Sequence, residues 1–175
     1  MPSTDFPTLL SAKAVEDSRG LFAKPLAADV REQLGFDIVE LFWTTSPRAC
    51  VRGMHFQTPP WAVRKLVWVS VGRVVDVVVD LRPGPDFGRH HVFEMAAGAS
   101  EVLYVPAGFA HGFQGIDESS IVNYAVDQPY VPEHDEGIRW DSLGVDWPLP
   151  AGLISDRDLA FPALSEWESP FPPVG

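Results

Sequence analysis

At 175 residues the chain is long enough for one domain with a sizeable core and too short for two ordinary ones, so a single domain over 1–175 is expected. Apolar residues make up 46% and charged residues 21%, which excludes the low-hydropathy, high-charge signature of a disordered chain. A formal charge of -11 without a basic cluster argues against nucleic acid and anionic membranes as partners, although a few Arg and Lys converging in one pocket could hold a small anion.

In chain order, Met1 to Phe6 lacks the basic-then-apolar pattern of a leader, and no later run reaches the ~18 apolar residues of a membrane span. A cytoplasmic protein is expected. Residues 27–34 (AADVREQL) are good helix formers that stop at Gly35. Residues 38–46, 65–72, 74–82, 90–96, 101–106 and 120–127 are rich in β-branched and aromatic residues, bounded by Gly, Pro or Ser, and read as strands. Cys50, the only cysteine, rules out an internal disulfide and reads as a buried hydrophobe. Within 74–82, Asp76 and Asp80 share one face and Val75, Val77 and Val79 the other. Solvent exposure is the simpler reading of that polar face, and the lining of a wet cavity the other. His90 and His91 read as a surface strand end. A second short helix is expected to begin near Asp156, and the Pro-rich stretch 165–175 to be an extended tail, packed through Trp167 and Phe171 or frayed.

Two segments stand out chemically. Arg52-Gly53-Met54-His55-Phe56-Gln57, followed by Lys65 and Gly72, resembles the first cupin motif, and Pro106-Ala107-Gly108-Phe109-Ala110-His111 resembles the second. The resemblance implies an all-β fold, a cupin jelly-roll barrel with a few short peripheral helices. In metal-binding cupins these motifs supply three His and one Glu. Here Gln57 takes the place of the second His and Lys65 that of the Glu, and an ammonium cannot ligate a cation. Neither a metal nor any other cofactor is therefore expected, and Lys65 could instead steady a developing oxyanion.

A longer pattern narrows the family. Asp17-Ser18-Arg19-Gly20-Leu21-Phe22, the Arg52 and Lys65 blocks, Asp76 to Arg82, Phe87-Gly88, the Pro106 to Phe113 block, Tyr124, Tyr130-Val131-Pro132-Glu133, Ile138-Arg139-Trp140, Asp146-Trp147-Pro148 and Ser155 to Asp158 run in one order. Over roughly residues 17–164 the chain resembles the dTDP-4-dehydrorhamnose 3,5-epimerase family. That resemblance implies inversion of carbons 3 and 5 beside the ketone of a nucleotide-linked 4-keto-6-deoxyhexose, through an enolate. By resemblance His55 is the base, Asp158 orients it, Tyr124 is the acid on the opposite face, and Lys65 holds the enolate oxygen with help from His111. Arg19 and Arg52 match diphosphate-binding arginines, and Gln57, Tyr130, Asp135 and Arg157 extend the substrate-binding set.

Other positions depart from the pattern. Lys24 stands where the family usually has Glu, and Glu40 and Phe42 where it has a Gln-x-Asn pair, all in recognition of the substrate or its nucleotide. Inversion at a single carbon, another nucleotide, or a sugar-nucleotide-binding protein without turnover are the alternative readings. The resemblance also implies a homodimer that exchanges an N-terminal strand, carrying Arg19 into the neighbouring site.

Overall fold

The described residues, 5–174 of a computed structural model, are dominated by strands. In chain order these are β1 (Thr8–Ser11), β2 (Lys13–Asp17), β3 (Gly20–Lys24), β4 (Glu40–Pro47), β5 (Val51–Gln57), β6 (Lys65–Val71), β7 (Arg73–Asp80), β8 (His90–Ala96), β9 (Glu101–Val105), β10 (Phe109–Gly115), β11 (Ser119–Val126) and β12 (Asp135–Gly137). Two short helices, α1 (Ala28–Leu34) and α2 (Asp156–Leu159), lie outside them. One five-stranded sheet has the order β1-β9-β6-β11-β4, the other β12-β5-β10-β7-β8, and β2-β3 form a separate ribbon. From β4 to β7 each strand crosses to the other sheet, and β9, β10 and β11 cross again. That path is a jelly roll.

Alternation along the strands builds three apolar layers. Between the sheets, Val67, Val78, Leu103, Phe109, Phe113 and Val122 pack into one cluster. Each such side chain contributes about 1.5–3 kcal/mol when fully buried. Val75, Val77 and Val79 point the other way, onto Ile138, Leu143 and Phe171 of the C-terminal segment. The tail is thus packed, with Phe171 buried against Phe56 and Trp167. On the outside of the first sheet, Leu34 and Phe36 cover Leu66, Tyr104 and Ala125. Arg64 locks that layer: its guanidinium donates to the carbonyls of Leu34 (3.0 Å) and Gly35 (2.8 Å) at the end of α1 and pairs with Asp127. A cation at a helix C-terminus satisfies carbonyls that have no partner within the helix.

The polar face of β7 is not exposed, which corrects the simpler reading. Asp76 and Asp80 are both buried. Asp80 is neutralised by Arg82 through two side-chain bonds, of 2.9 and 2.5 Å, and the guanidinium lies 4.4 Å from the Phe109 ring centre. A buried carboxylate needs such partners. The two motif segments also prove to be strands, β5 and β10, whose Gly, His, Arg and Gln content hides them from propensity. They approach closely because Gly53 and Gly112 face each other at a break in register. A Cβ on Gly53 would sit 2.6 Å from the Gly112 Cα, so neither position tolerates a side chain.

Candidate active site

Between the sheets lies a cavity of about 260 Å³, near the low end for small-molecule sites. One wall is set by register. Glu40, Val126 and Lys65 form a row across β4, β11 and β6, and Phe42, Tyr124 and Val67 form the next. The facing wall comes from β5 and β10, where His55 pairs with His111 and Arg52 and Gln57 also reach the cavity. Tyr130, Asp135 and Arg157 complete the lining.

His55 is held from behind. Its Nε2 lies 2.9 Å from Asp158 Oδ1, while Asp158 Oδ2 accepts the Gly53 N–H at 3.0 Å. Asp158 is buried at the start of α2, where its own N–H donates to the capping Ser155 hydroxyl at 3.1 Å. Burial is the largest single influence on the carboxyl and opposes ionisation. Bonds to His55, Gly53 and Ser155 together outweigh it and hold the group below the ordinary carboxylate value. An ionised Asp158 accepts a hydrogen bond from the Nε2–H, which leaves Nδ1 of His55 with the lone pair that can accept a proton.

His111 makes a second pair of this kind, 2.9 Å from Asp76 Oδ2. Burial pushes the imidazole down, against the pull of Asp76, so it is a neutral group that donates from Nε2. Tyr124 presents its ring edge-on to His111, with centroids 5.9 Å apart. Burial and the charge of Asp76 push its phenol well above the ordinary range, with Thr44 and Arg52 pulling the other way. The phenol is therefore protonated at any working pH. Lys65 donates one proton to the His55 carbonyl at 3.0 Å and has two more for a ligand. Burial brings it down to about 8, resisted by Asp135 and Asp76. Among the described residues no three His, Cys, Asp or Glu side chains are grouped to hold a metal ion.

Recognition residues divide into several kinds. Arg52 donates to the Ser46 hydroxyl (2.8 Å) and the Thr45 carbonyl (3.0 Å) and makes no ion pair with a described residue. Its charge is thus uncompensated, which suits an anion. Arg157 pairs with Asp135 at 2.6 Å, and Glu40 accepts the Tyr130 N–H at 3.3 Å. Gln57 lines the cavity and also holds backbone. Its amide donates to the carbonyls of Trp61 (3.0 Å) and Pro129 (3.1 Å) and accepts from Val131 (2.7 Å). It works as a clamp on the loop carrying Tyr130. Arg19 and Lys24 do not reach this cavity; they lie on the exposed β2-β3 ribbon, where Arg19 pairs with Asp17 at 2.5 Å.

Two neighbours escaped the sequence reading. Asp76 was visible as polarity in a valine run and as one block of the family pattern, with no role attached to it. Phe161 carried no signal, yet its ring meets His55 edge-to-face at 5.7 Å and supports the Arg157 guanidinium at 5.2 Å. Gly137, the register partner of His55 on β12, leaves the space for it, since a Cβ there would lie 2.2 Å from the ring. Gly137→Ala is expected to cost about 1–3 kcal/mol through overpacking and to slow turnover by moving Phe161 off His55. Thermal melts alongside activity would check both effects.

The sequence profile of the family described as dTDP-4-dehydrorhamnose 3,5-epimerase matches residues 6–166. The chain belongs to the dTDP-4-dehydrorhamnose 3,5-epimerase family. A family member from Sinorhizobium fredii is 41% identical over 120 residues, covering 66% of this chain and 62% of that protein. Another, from Methanothermobacter thermautotrophicus, is 33% identical over 172 residues and covers 94% of this chain and 92% of the relative. Among solved structures, the Legionella pneumophila dTDP-6-deoxy-D-glucose-3,5-epimerase in complex with dTDP-4-keto-L-rhamnose superposes with a TM-score of 0.89 at 29% identity, covering 97% of this chain and 94% of that one. The jelly roll is thus this epimerase family's fold.

Proposed function

We propose that this family member is an isomerase that inverts carbons 3 and 5 of dTDP-4-dehydro-6-deoxy-D-glucose to give dTDP-4-dehydro-L-rhamnose. The observation that carries the reading is a histidine on one sheet, backed by the Asp158 carboxylate of α2, and a protonated phenol on the other sheet, with the Lys65 ammonium lining the same cavity. Both carbons are α to the ketone. His55 removes a proton, the electron pair passes into the enolate, and Lys65 holds the oxygen on which charge develops, aided by His111. Tyr124 then donates its proton to the other face of the carbon. The centre is inverted, and a proton passes back from His55 to the phenolate through solvent.

Substrate binding follows from the same cavity. Arg52 meets the diphosphate with its forked donors, and Glu40, Phe42, Tyr130, Asp135 and Arg157 border the sugar and nucleotide. A dTDP-linked ligand is supported by the one in the Legionella relative. We take the working unit to be a homodimer, because the β2-β3 ribbon pairs with neither sheet and exposes Val15, Leu21 and Phe22 beside Arg19. In a dimer that ribbon, with Arg19 and Lys24, would complete a neighbouring site.

The test is incubation with dTDP-4-dehydro-6-deoxy-D-glucose and its uridine, cytidine and guanosine counterparts, with the configuration at carbons 3 and 5 followed by NMR. Inversion of both centres, fastest on the thymidine substrate, is expected. Tight binding of all four without inversion of either carbon would overturn the reading.

A further inference from the structure

Phe42 lines the cavity beside the proposed acid, and its geometry is specific. Its ring lies parallel to that of Tyr124, with centroids 4.7 Å apart and 13° between the planes. The two residues are direct register partners, since Tyr124 on β11 pairs with Phe42 on the edge strand β4. Phe42 itself is 42% exposed and lines the cavity, so it adds little to the core. Tyr124 is thus confined on one ring face by Phe42 and meets His111 edge-on. Near-parallel stacking constrains the plane of a ring more than general apolar packing does, and such pairs are worth about 0.5–1.5 kcal/mol beyond the area they bury.

Resting on the epimerase reading, we propose that Phe42 is a positioning residue for Tyr124: it fixes the phenol plane so that the acid reaches the enolate carbon on the face opposite His55. The consequence concerns how the enolate partitions. Once His55 has taken the C–H proton and the electron pair lies in the enolate, two outcomes compete. Tyr124 can deliver its proton to the opposite face, leaving a phenolate and an inverted carbon. Alternatively, His55 can return a proton to the face it came from, which restores the starting sugar. In D2O the second route leaves deuterium in uninverted substrate after the His55 proton has exchanged with solvent. A phenol free to tilt loses the first route and not the second.

The experiment measures deuterium incorporation into remaining substrate and formation of epimer, for wild type, Phe42→Ala, Phe42→Leu, Phe42→Tyr and Tyr124→Phe. For Phe42→Ala the ratio of exchange to inversion is expected to rise about 3- to 10-fold, in line with loss of the stacking energy; the ratio is read within one enolate and is independent of any change in KM. Phe42→Leu keeps most of the volume without the plane and should behave likewise. Phe42→Tyr keeps the plane and should restore the wild-type ratio, while Tyr124→Phe sets its upper limit. A ratio unchanged in both Phe42→Ala and Phe42→Leu, with exchange and inversion equal to wild type or falling together, would overturn the proposal. Wild type that neither exchanges nor inverts would instead overturn the epimerase reading beneath it.

Discussion

Replacing His55 with alanine is expected to lower the rate of epimer formation by about 10²- to 10⁴-fold, the usual contribution of a positioned general base. Under the proposed mechanism both inversions begin with this imidazole, so both should fail together. The pair behind it sharpens the expectation. Asp158 is buried and bonded to His55 Nε2 and to the Gly53 N–H, so Asp158→Asn should retain part of the geometry while removing the charge that stabilises the imidazolium. Its activity should fall between wild type and His55→Ala. Removing the imidazole also leaves Asp158 short of one partner, at a cost of about 1–3 kcal/mol. Activity per folded molecule, corrected with a thermal melt, separates that loss from the loss of the base.

Lys65→Met should lower kcat by about 10²- to 10³-fold, the range for losing one donor to a developing oxyanion, with a smaller change in KM. Stability should move the other way. Burial lowers the ammonium to about 8 in the folded chain, so protonation is harder there than in the unfolded chain. The charge therefore costs stability below about pH 8, and the cost fades as pH rises through the unfolded value. Near neutral pH, Lys65→Met should melt at or above the wild-type temperature. The same shift sets the activity profile. Oxyanion stabilisation is present below about pH 8 and is lost above it, giving wild type an alkaline fall in kcat near that pH. In the Met variant that fall should be absent from the residual activity. A variant with unchanged kcat would remove Lys65 from the chemistry.

Some of this architecture was legible in the sequence for plain reasons. Valine and aromatic runs bounded by Gly, Pro and Ser gave β6, β7, β8, β9 and β11 nearly to the residue, because those side chains suit a half-buried pleated surface. Gly35 marked the end of α1 for the same kind of local reason. What stayed hidden depends on contacts remote in sequence. Strands β5 and β10 carry the motif residues and the Gly53–Gly112 contact, so their composition speaks of the site rather than of a strand. Asp76 looked solvent-facing because a sequence does not show that β7 lies between a cavity wall and a C-terminal cover. Likewise, Gln57 stands at a ligand position of the cupin motif, and only the path of the 129–131 loop shows that its amide also holds that loop. The convergence of His55, Lys65, His111 and Tyr124 on one cavity was carried by motif order. The separation of His55 and Tyr124 onto facing sheets required the topology.

That separation is the centre of the account, and solvent-deuterium exchange at carbons 3 and 5 tests it most directly. In D2O with dTDP-4-dehydro-6-deoxy-D-glucose, wild type should place deuterium at both carbons of the inverted product. His55→Ala should place it at neither, and Tyr124→Phe should exchange while inverting little or nothing. Exchange by His55→Ala at the wild-type rate, or inversion by Tyr124→Phe at the wild-type rate, would contradict the assignment of base and acid to these two walls.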